Sequence, residues 1–359
     1  MLHIMIVVAV ICLCGWLADR YKKYESLFTA VIIIVFALFL GLRTSYNDTS
    51  AYINSFMKAK PFDEFLKDSS STNLLHNPLY HGFNSLLRGI TDNYHVFLMI
   101  YAVFDSFFLI RFLRNHSHGF FGYTILVFWV YGIGMLAAAA IKQITAMAVL
   151  TLAFEALIKK KRLLFYFFII IAGLIHTYAI LAAVAPLFVS KPWSWKTVLV
   201  MIVAGFTILT FKTTISSIID YAEDIGKNIS EKEVFTGVGM NILRVAVYSI
   251  PVVLLFIFRE RLLPLMSDEE MLFSNMGIIS FLFIILAATD GANALGRLSS
   301  YFSFGSICLF GWIIDKLYTK KSRMVIMAVS CFLFLIFIYY DNKDVYYQSI
   351  DLLEFIKTL

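Results

Sequence analysis

The sequence predicts an all-α polytopic integral membrane protein of about 11–12 transmembrane or re-entrant helices, each crossing needing about 20 apolar residues. Composition is the first of three observations behind this. Hydrophobic residues make up 60% and charged residues 15% of the 359, with a mean hydropathy of +0.81, whereas soluble domains carry about 25% charge. Second, long apolar stretches recur from Ile4 to Tyr340 with mostly short polar breaks. Third, the period-2 alternation of barrel strands is absent, so the spans must satisfy their backbone polar groups internally, as helices.

Taken in order, the N-terminal stretch MLHIMIVVAV has no basic region ahead of it and no small-residue cleavage site before Asp19, so it reads as a retained first helix rather than a signal peptide. The breaks that follow fall into two kinds. Short basic loops stand at Arg20-Lys22-Lys23, Arg111-Arg114, Lys159 to Arg162, Lys191-Lys196, Arg259-Arg261 and Lys316 to Arg323, and hold more than half of the 30 Lys and Arg. The positive-inside rule assigns them to the cytoplasm. The alternating breaks then face outward: the long segment 43–95, a tight turn from Tyr131 to Ile141, the acidic segment 212–240, the turn from Asp290 to Arg297 and the tail from Asp341. The whole chain, 1–359, reads as a single membrane domain.

One stretch strains this topology. Leu163 to Val189 lies between two basic loops, too long for one ordinary span and too short for two. Interrupted by Gly173 and His176-Thr177, residues 163–189 are expected to form a re-entrant hairpin with His176 at its outer tip, a single tilted helix being the other solution.

Within 43–95, Pro61 can open a short helix with Asp63 and Glu64 in its first turn and Phe62, Phe65 and Leu66 toward the membrane. Leu79, Phe83, Leu86, Leu87 and Ile90 repeat at helical spacing, so a second interfacial helix is expected there.

This orientation brings Arg43, Asp48, Lys142, His176, Arg244, Asp290 and Arg297 near one outer face. Ionisable side chains at a membrane boundary are costly and mark ligand paths, ion paths or paired structural sites. Arg43 and Arg297 stand at span ends, where they either snorkel or bind a ligand. Lys142 follows the small residues Ala137 to Ala140, and Gln143 adds a second polar group. Together Arg43, Lys142 and Arg297 would suit an anion such as pyrophosphate, the Arg forks binding oxygens in pairs and Lys acting as a point charge. His176 is a candidate general base or a core histidine. Asp48 could pair with Arg43, orient a sugar, hold a metal or act as base, and Tyr52 could stack on a sugar ring or anchor at the interface.

The six histidines besides His176 form no metal pattern with acidic neighbours, and the four cysteines sit in apolar runs as small hydrophobes. No glycine-rich phosphate loop, nucleophile elbow or HExxH is present, which argues against an ATP-driven pump, a lipase-like hydrolase and a zinc protease. Nothing points to nucleic acid. Any donor must arrive already activated.

Four ordered segments resemble the EpsG/Wzy-type polysaccharide polymerases. They are Gly41-Leu42-Arg43 with Asp48-Thr49 and Tyr52; Ile141 to Ala146, containing Lys142-Gln143; His176-Thr177-Tyr178-Ala179; and Arg297-Leu298 with Tyr301-Phe302. Two departures stand out: Lys142 occupies a position where the family more often has Arg, and a Glu sought near Asn77-Pro78 is missing. The resemblance implies a GT-C-like membrane glycosyltransferase with no metal and no cofactor, in a bacterial cytoplasmic membrane with its active site facing out. It would polymerise undecaprenyl-pyrophosphate-linked repeat units into exopolysaccharide, capsule or O-antigen. The resemblance further implies Arg43, Lys142 and Arg297 on the pyrophosphate, His176 or Asp48 as catalytic residues, and Tyr52, Gln143 and Tyr301 on the sugar or acceptor. Implied partners are lipid-linked glycan donor and acceptor, membrane lipid, and a chain-length regulator and flippase of the same pathway.

Three other readings remain at this point. A lipid-linked oligosaccharide flippase also needs buried cations, although internal repeats are not evident and the polar residues lean to one face, with Asp105 a mid-span exception. An O-antigen-ligase-like transferase would share the donor. A dolichol-type arrangement would give Asp48 more weight than His176.

Overall fold

A computed structural model describes residues 1–67, 77–188, 190–199, 202–203, 239–289 and 291–358. Asp290 and residues 212–238 of the second outer loop lie outside these. The described chain is mostly helical, with one two-stranded pair. Six described helices are long and apolar enough to cross a membrane, and up to nine crossings result if each of three bent helix pairs is one span. The protein is an all-α multi-pass membrane protein.

Two compact units emerge, Met1–Ala183 with Tyr318–Leu359, and Val184–Leu317. In the first, α1 (Leu2–Arg20) and α2 (Glu25–Gly41) form a hairpin. A short strand β1 (Arg43–Ser45) and helices α3 (Thr49–Met57), α4 (Phe62–Lys67) and α5 (Pro78–Arg88) follow. Next come α6 (Tyr94–Asn115), α7 (Phe121–Val130), α8 (Ile133–Ala139), α9 (Ile141–Ile158) and α10 (Arg162–Ile175). A 3-10 helix covers Thr177–Phe188, its part from Val184 onward belonging to the second unit. After the second unit, α16 (Lys320–Asn342) returns, leading to strand β2 (Gln348–Ser349) and α17 (Leu352–Thr358).

The basic loops of this unit gather at one end. Arg111 Nη2 lies 2.8 Å from Glu155 and Arg114 Nε 3.2 Å from Glu25, while Lys22 stands between Asp19 and Glu25 at 3.9 and 3.8 Å. Arg323 covers the Phe120 ring at 5.4 Å. At the other end the C-terminal tail docks on the chain that leaves α2. There β2 pairs antiparallel with β1, Ile350 N donates to Leu42 O at 3.0 Å, and Asn93 Nδ2 donates to Thr358 O at 2.6 Å.

Close helix packing in lipid depends on small residues, because hydrophobic burial supplies little drive there. Gly15 of α1 and Gly122 of α7 meet backbone to backbone, and a Cβ on Gly122 would stand 2.5 Å from Trp16 N. Gly122→Leu should therefore separate α1 from α7 and destabilise the unit by about 1–3 kcal/mol or more. The expected result is a lower melting temperature of the purified protein in detergent, whereas an unchanged melting curve would mean that the crossing is not tight in solution.

Two stretches differ in detail from their sequence reading. Tyr131 to Ile141 is not a bare turn: Gly132, at φ +71°, allows a 59° bend between α7 and α8, and the small Ile133–Ala139 segment winds a further helix before α9 starts. In α4, Phe65 is buried and lies with Phe62 against Gly82 of α5, so these rings pack inward while Leu66 stays exposed.

The second unit contains α11 (Ile242–Ile257), α12 (Arg259–Leu262), α13 (Asp268–Ala287), α14 (Ala292–Ser300) and α15 (Phe304–Leu317). Ser267 and Glu270 form a capping box that starts α13. Gly277 and Gly305 let α13 and α15 touch, and Ser299 of α14 shares a 2.8 Å hydrogen bond with Ser280 of α13. Arg297 is in the last turn of α14, and Tyr301, at its end, is fully buried.

Candidate active site

Arg43 is set in place by how α2 ends. Gly41 lies so close to α6 that a Cβ there would fall 2.6 Å from Met99 Sδ. The next residues turn into β1, and the Arg43 side chain folds back, its Nη1 donating to the carbonyl of Leu40 and its Nε to Thr49 Oγ1 at 3.2 Å. The first of these caps the C-terminus of α2, where a cation is favoured. Yet Arg43 is only 2% exposed, and its Nη2 has no hydrogen-bond partner among the described residues. Buried polar atoms are nearly always satisfied, so this one calls for a water or a ligand. The ionisable groups that act on Arg43 electrostatically are Tyr347, Asp105, Tyr52 and Tyr80.

Lys142 stands in the first turn of α9, beside helix-start amides that Ala140 cannot cap with a side chain. A cation there works against the helix dipole, but an anion would be drawn by both. Its Nζ lies 5.2 Å from the centre of the Tyr80 ring, and the Asp48 carboxylate acts on it. Gln143, next along, is buried. Asp48 is the N-cap residue of α3 and Tyr52 follows one turn later, its ring edge-to-face with Tyr80 at 6.2 Å. Tyr80 thus stands among Arg43, Tyr52 and Lys142. Burial pushes its hydroxyl pKa up, so it stays protonated.

His176 interrupts the chain between α10 and the 3-10 helix, with extended backbone at φ −148° and ψ 111°. The next residue is strapped down: Thr177 N and Oγ1 both donate to Asn77 Oδ1, at 3.0 and 3.2 Å, and Asn77 holds a left-handed φ of +53° just before α5. Because α9 and α10 are antiparallel, this tie brings His176 to the Lys142 end of the unit. Gly173 and Ile180 approach across the break, the glycine's Cβ position being 3.8 Å from Ile180.

Arg43, Asp48, Tyr52, Lys142, Gln143 and His176 therefore belong to one end of the first unit. Arg297 and Tyr301 belong to the second unit. Sequence reasoning did not find Tyr80, Asn77 or the Tyr101–Asn84 hydrogen bond of 2.8 Å. The signal available was Tyr80, Asn84 and Leu87 at helical spacing, opposite the exposed stripe Leu79, Phe83, Leu86 and Ile90. Among the described residues no trio of His, Cys, Asp and Glu could hold a metal ion.

His81, beside Tyr80 on α5, has its pKa lowered to about 4 by burial first and Lys142 second. Since the unfolded chain binds this proton nearer pH 6.5, stability contributed by neutral His81 is present above that value and is lost as pH falls toward 4. Melting temperature should drop between pH 6.5 and 4, and less steeply in His81→Gln; equal slopes would assign the drop to other groups.

Fold and site together define a multi-pass membrane protein with a half-buried cationic centre at one end of its N-terminal helices. The chain belongs to the EpsG family, whose model matches residues 26–355. That membership marks it as a polysaccharide polymerase-type membrane protein. No curated protein and no solved structure matches it.

Proposed function

We propose that the protein is a glycosyltransferase that joins lipid-linked oligosaccharide repeat units into a surface polysaccharide at the outer face of a bacterial cytoplasmic membrane. The carrier is undecaprenyl pyrophosphate, and a flippase and a chain-length regulator act with it. The observation that carries this reading is the buried Arg43 guanidinium with an open Nη2, near a Tyr80 ring that also bears Lys142. Fixed cations in a poorly hydrated site stabilise a leaving pyrophosphate as its charge develops.

In this reaction a sugar hydroxyl of the acceptor attacks the anomeric carbon of the donor. The new glycosidic C–O bond forms as the bond to the pyrophosphate oxygen breaks, the electron pair leaves with the lipid pyrophosphate, and the hydroxyl proton passes to His176. Arg43 and Lys142 hold the leaving group, with Tyr52 and Gln143 on the sugars. Asp48 sets the charge around Lys142.

Proteoliposomes containing the purified protein and a defined lipid-linked repeat unit should yield a ladder of longer lipid-linked glycans together with released lipid pyrophosphate. Movement of the repeat unit across the bilayer without bond formation would replace this reading with a flippase.

A further inference from the structure

Deeper than Lys142, an apolar cavity of about 320 Å³ lies between α5, α6, α9 and α10. We infer that it holds the lipid chain of the phosphate-linked substrate, next to the linkage, and thereby fixes where the pyrophosphate sits. This inference rests on Arg43 and Lys142 being pyrophosphate ligands.

Thr145 lines the cavity and comes three residues after Lys142, so it occupies the same face of α9 about one turn further into the membrane. Tyr80 belongs to both places, since its ring carries the Lys142 ammonium and also lines the cavity. Cation at the mouth and hydrocarbon space behind it is the order in which a lipid phosphate presents its two ends.

A cavity holds ordered water only where several polar groups can bind it. Phe83, Ile100, Phe104 and Ile175 supply carbon here, and the Thr145 hydroxyl already donates to Asp105 at 3.3 Å. Leu79 and Phe83, on the α5 side, remain 42% and 39% exposed, which leaves the lip open to a chain entering from the bilayer.

Physics also dictates what such a site can do. Moving a chain from lipid tails into an apolar cavity gains little hydrophobic energy, because the tails are equally apolar. Close van der Waals packing against the preformed wall supplies the affinity and the position instead, and reacting groups held in the right place accelerate the chemical step.

The test uses the full chain in nanodiscs of zwitterionic phospholipid, with a long-chain polyprenyl pyrophosphate, phosphatidylglycerol and inorganic pyrophosphate as probes. Wild-type protein should bind the polyprenyl pyrophosphate at least about tenfold more tightly than inorganic pyrophosphate. Ile100→Trp, which fills the cavity, should bring the two within about threefold without changing inorganic pyrophosphate binding, and should lower turnover by about tenfold or more. A benzophenone amino acid at Phe83 should crosslink the polyprenyl probe in preference to phosphatidylglycerol, a readout that does not depend on tolerance of a core tryptophan. Equal labelling of both lipids, or an Ile100→Trp protein that still prefers the polyprenyl probe, would overturn the inference while leaving the cation site intact. Failure of the wild type to bind either pyrophosphate would overturn the cation site itself, and this inference with it.

Discussion

Arg43→Ala is expected to lower polymerisation about 10²–10³-fold per folded molecule, the usual effect of removing one donor aimed at a developing negative charge. The guanidinium is clamped by Leu40 O and Thr49 Oγ1, which leaves Nη2 directed by the fold rather than by solvent. Arg43→Lys should recover little of the loss, because one ammonium cannot cap α2, reach Thr49 and serve a ligand together. A purely structural role predicts something different: less protein with a lower melting temperature, but normal turnover in whatever folds. Specific activity of Arg43→Ala within about threefold of wild type would therefore remove Arg43 from the pyrophosphate site.

The second large effect is expected at His176. Loss of a general base typically lowers the rate about 10²–10⁴-fold, so His176→Ala should do so. Asp48→Asn should be milder, since its carboxylate acts on Lys142 and its loss changes the field around the leaving group. The Asn77–Thr177 strap fixes the extended backbone next to His176. Asn77→Ala should accordingly reduce turnover more than substrate affinity. A larger defect in Asp48→Asn than in His176→Ala would reverse the two assignments.

Much of the architecture was legible because lipid leaves a chain few choices. Apolar runs of spanning length must be helices, and the basic loops at Lys22, Arg111–Arg114 and Arg323 were grouped from their charge alone; in the structure their carboxylate and aromatic partners stand at one end. Those partners were not legible. Glu155 looks like an isolated acid near the end of α9 until α6 brings Arg111 to it, 44 residues away in the chain. Asp105 stood out as a mid-span charge, but its hydrogen bond from Thr145 depends on how α6 and α9 face one another.

The site divides in the same way. Residue type and boundary position were enough to single out Arg43, Asp48, Lys142 and His176, because an ionisable group at the edge of a bilayer is unfavourable unless it has a task. Which of them meet could not follow from spacing. Tyr80 joins Arg43 to Lys142, Asn77 ties the His176 loop to α5, and the C-terminal tail closes over β1 through Tyr347, whose hydroxyl donates to Phe39 O. All three are contacts between segments far apart in the chain. The sequence by itself determined the helices, their basic ends and the cast of charged residues, since hydropathy and charge act locally against the bilayer. Only the tertiary structure decided that an aromatic ring and an apolar cavity would lie beside those charges, because packing between distant helices is set by shape, which no single segment encodes.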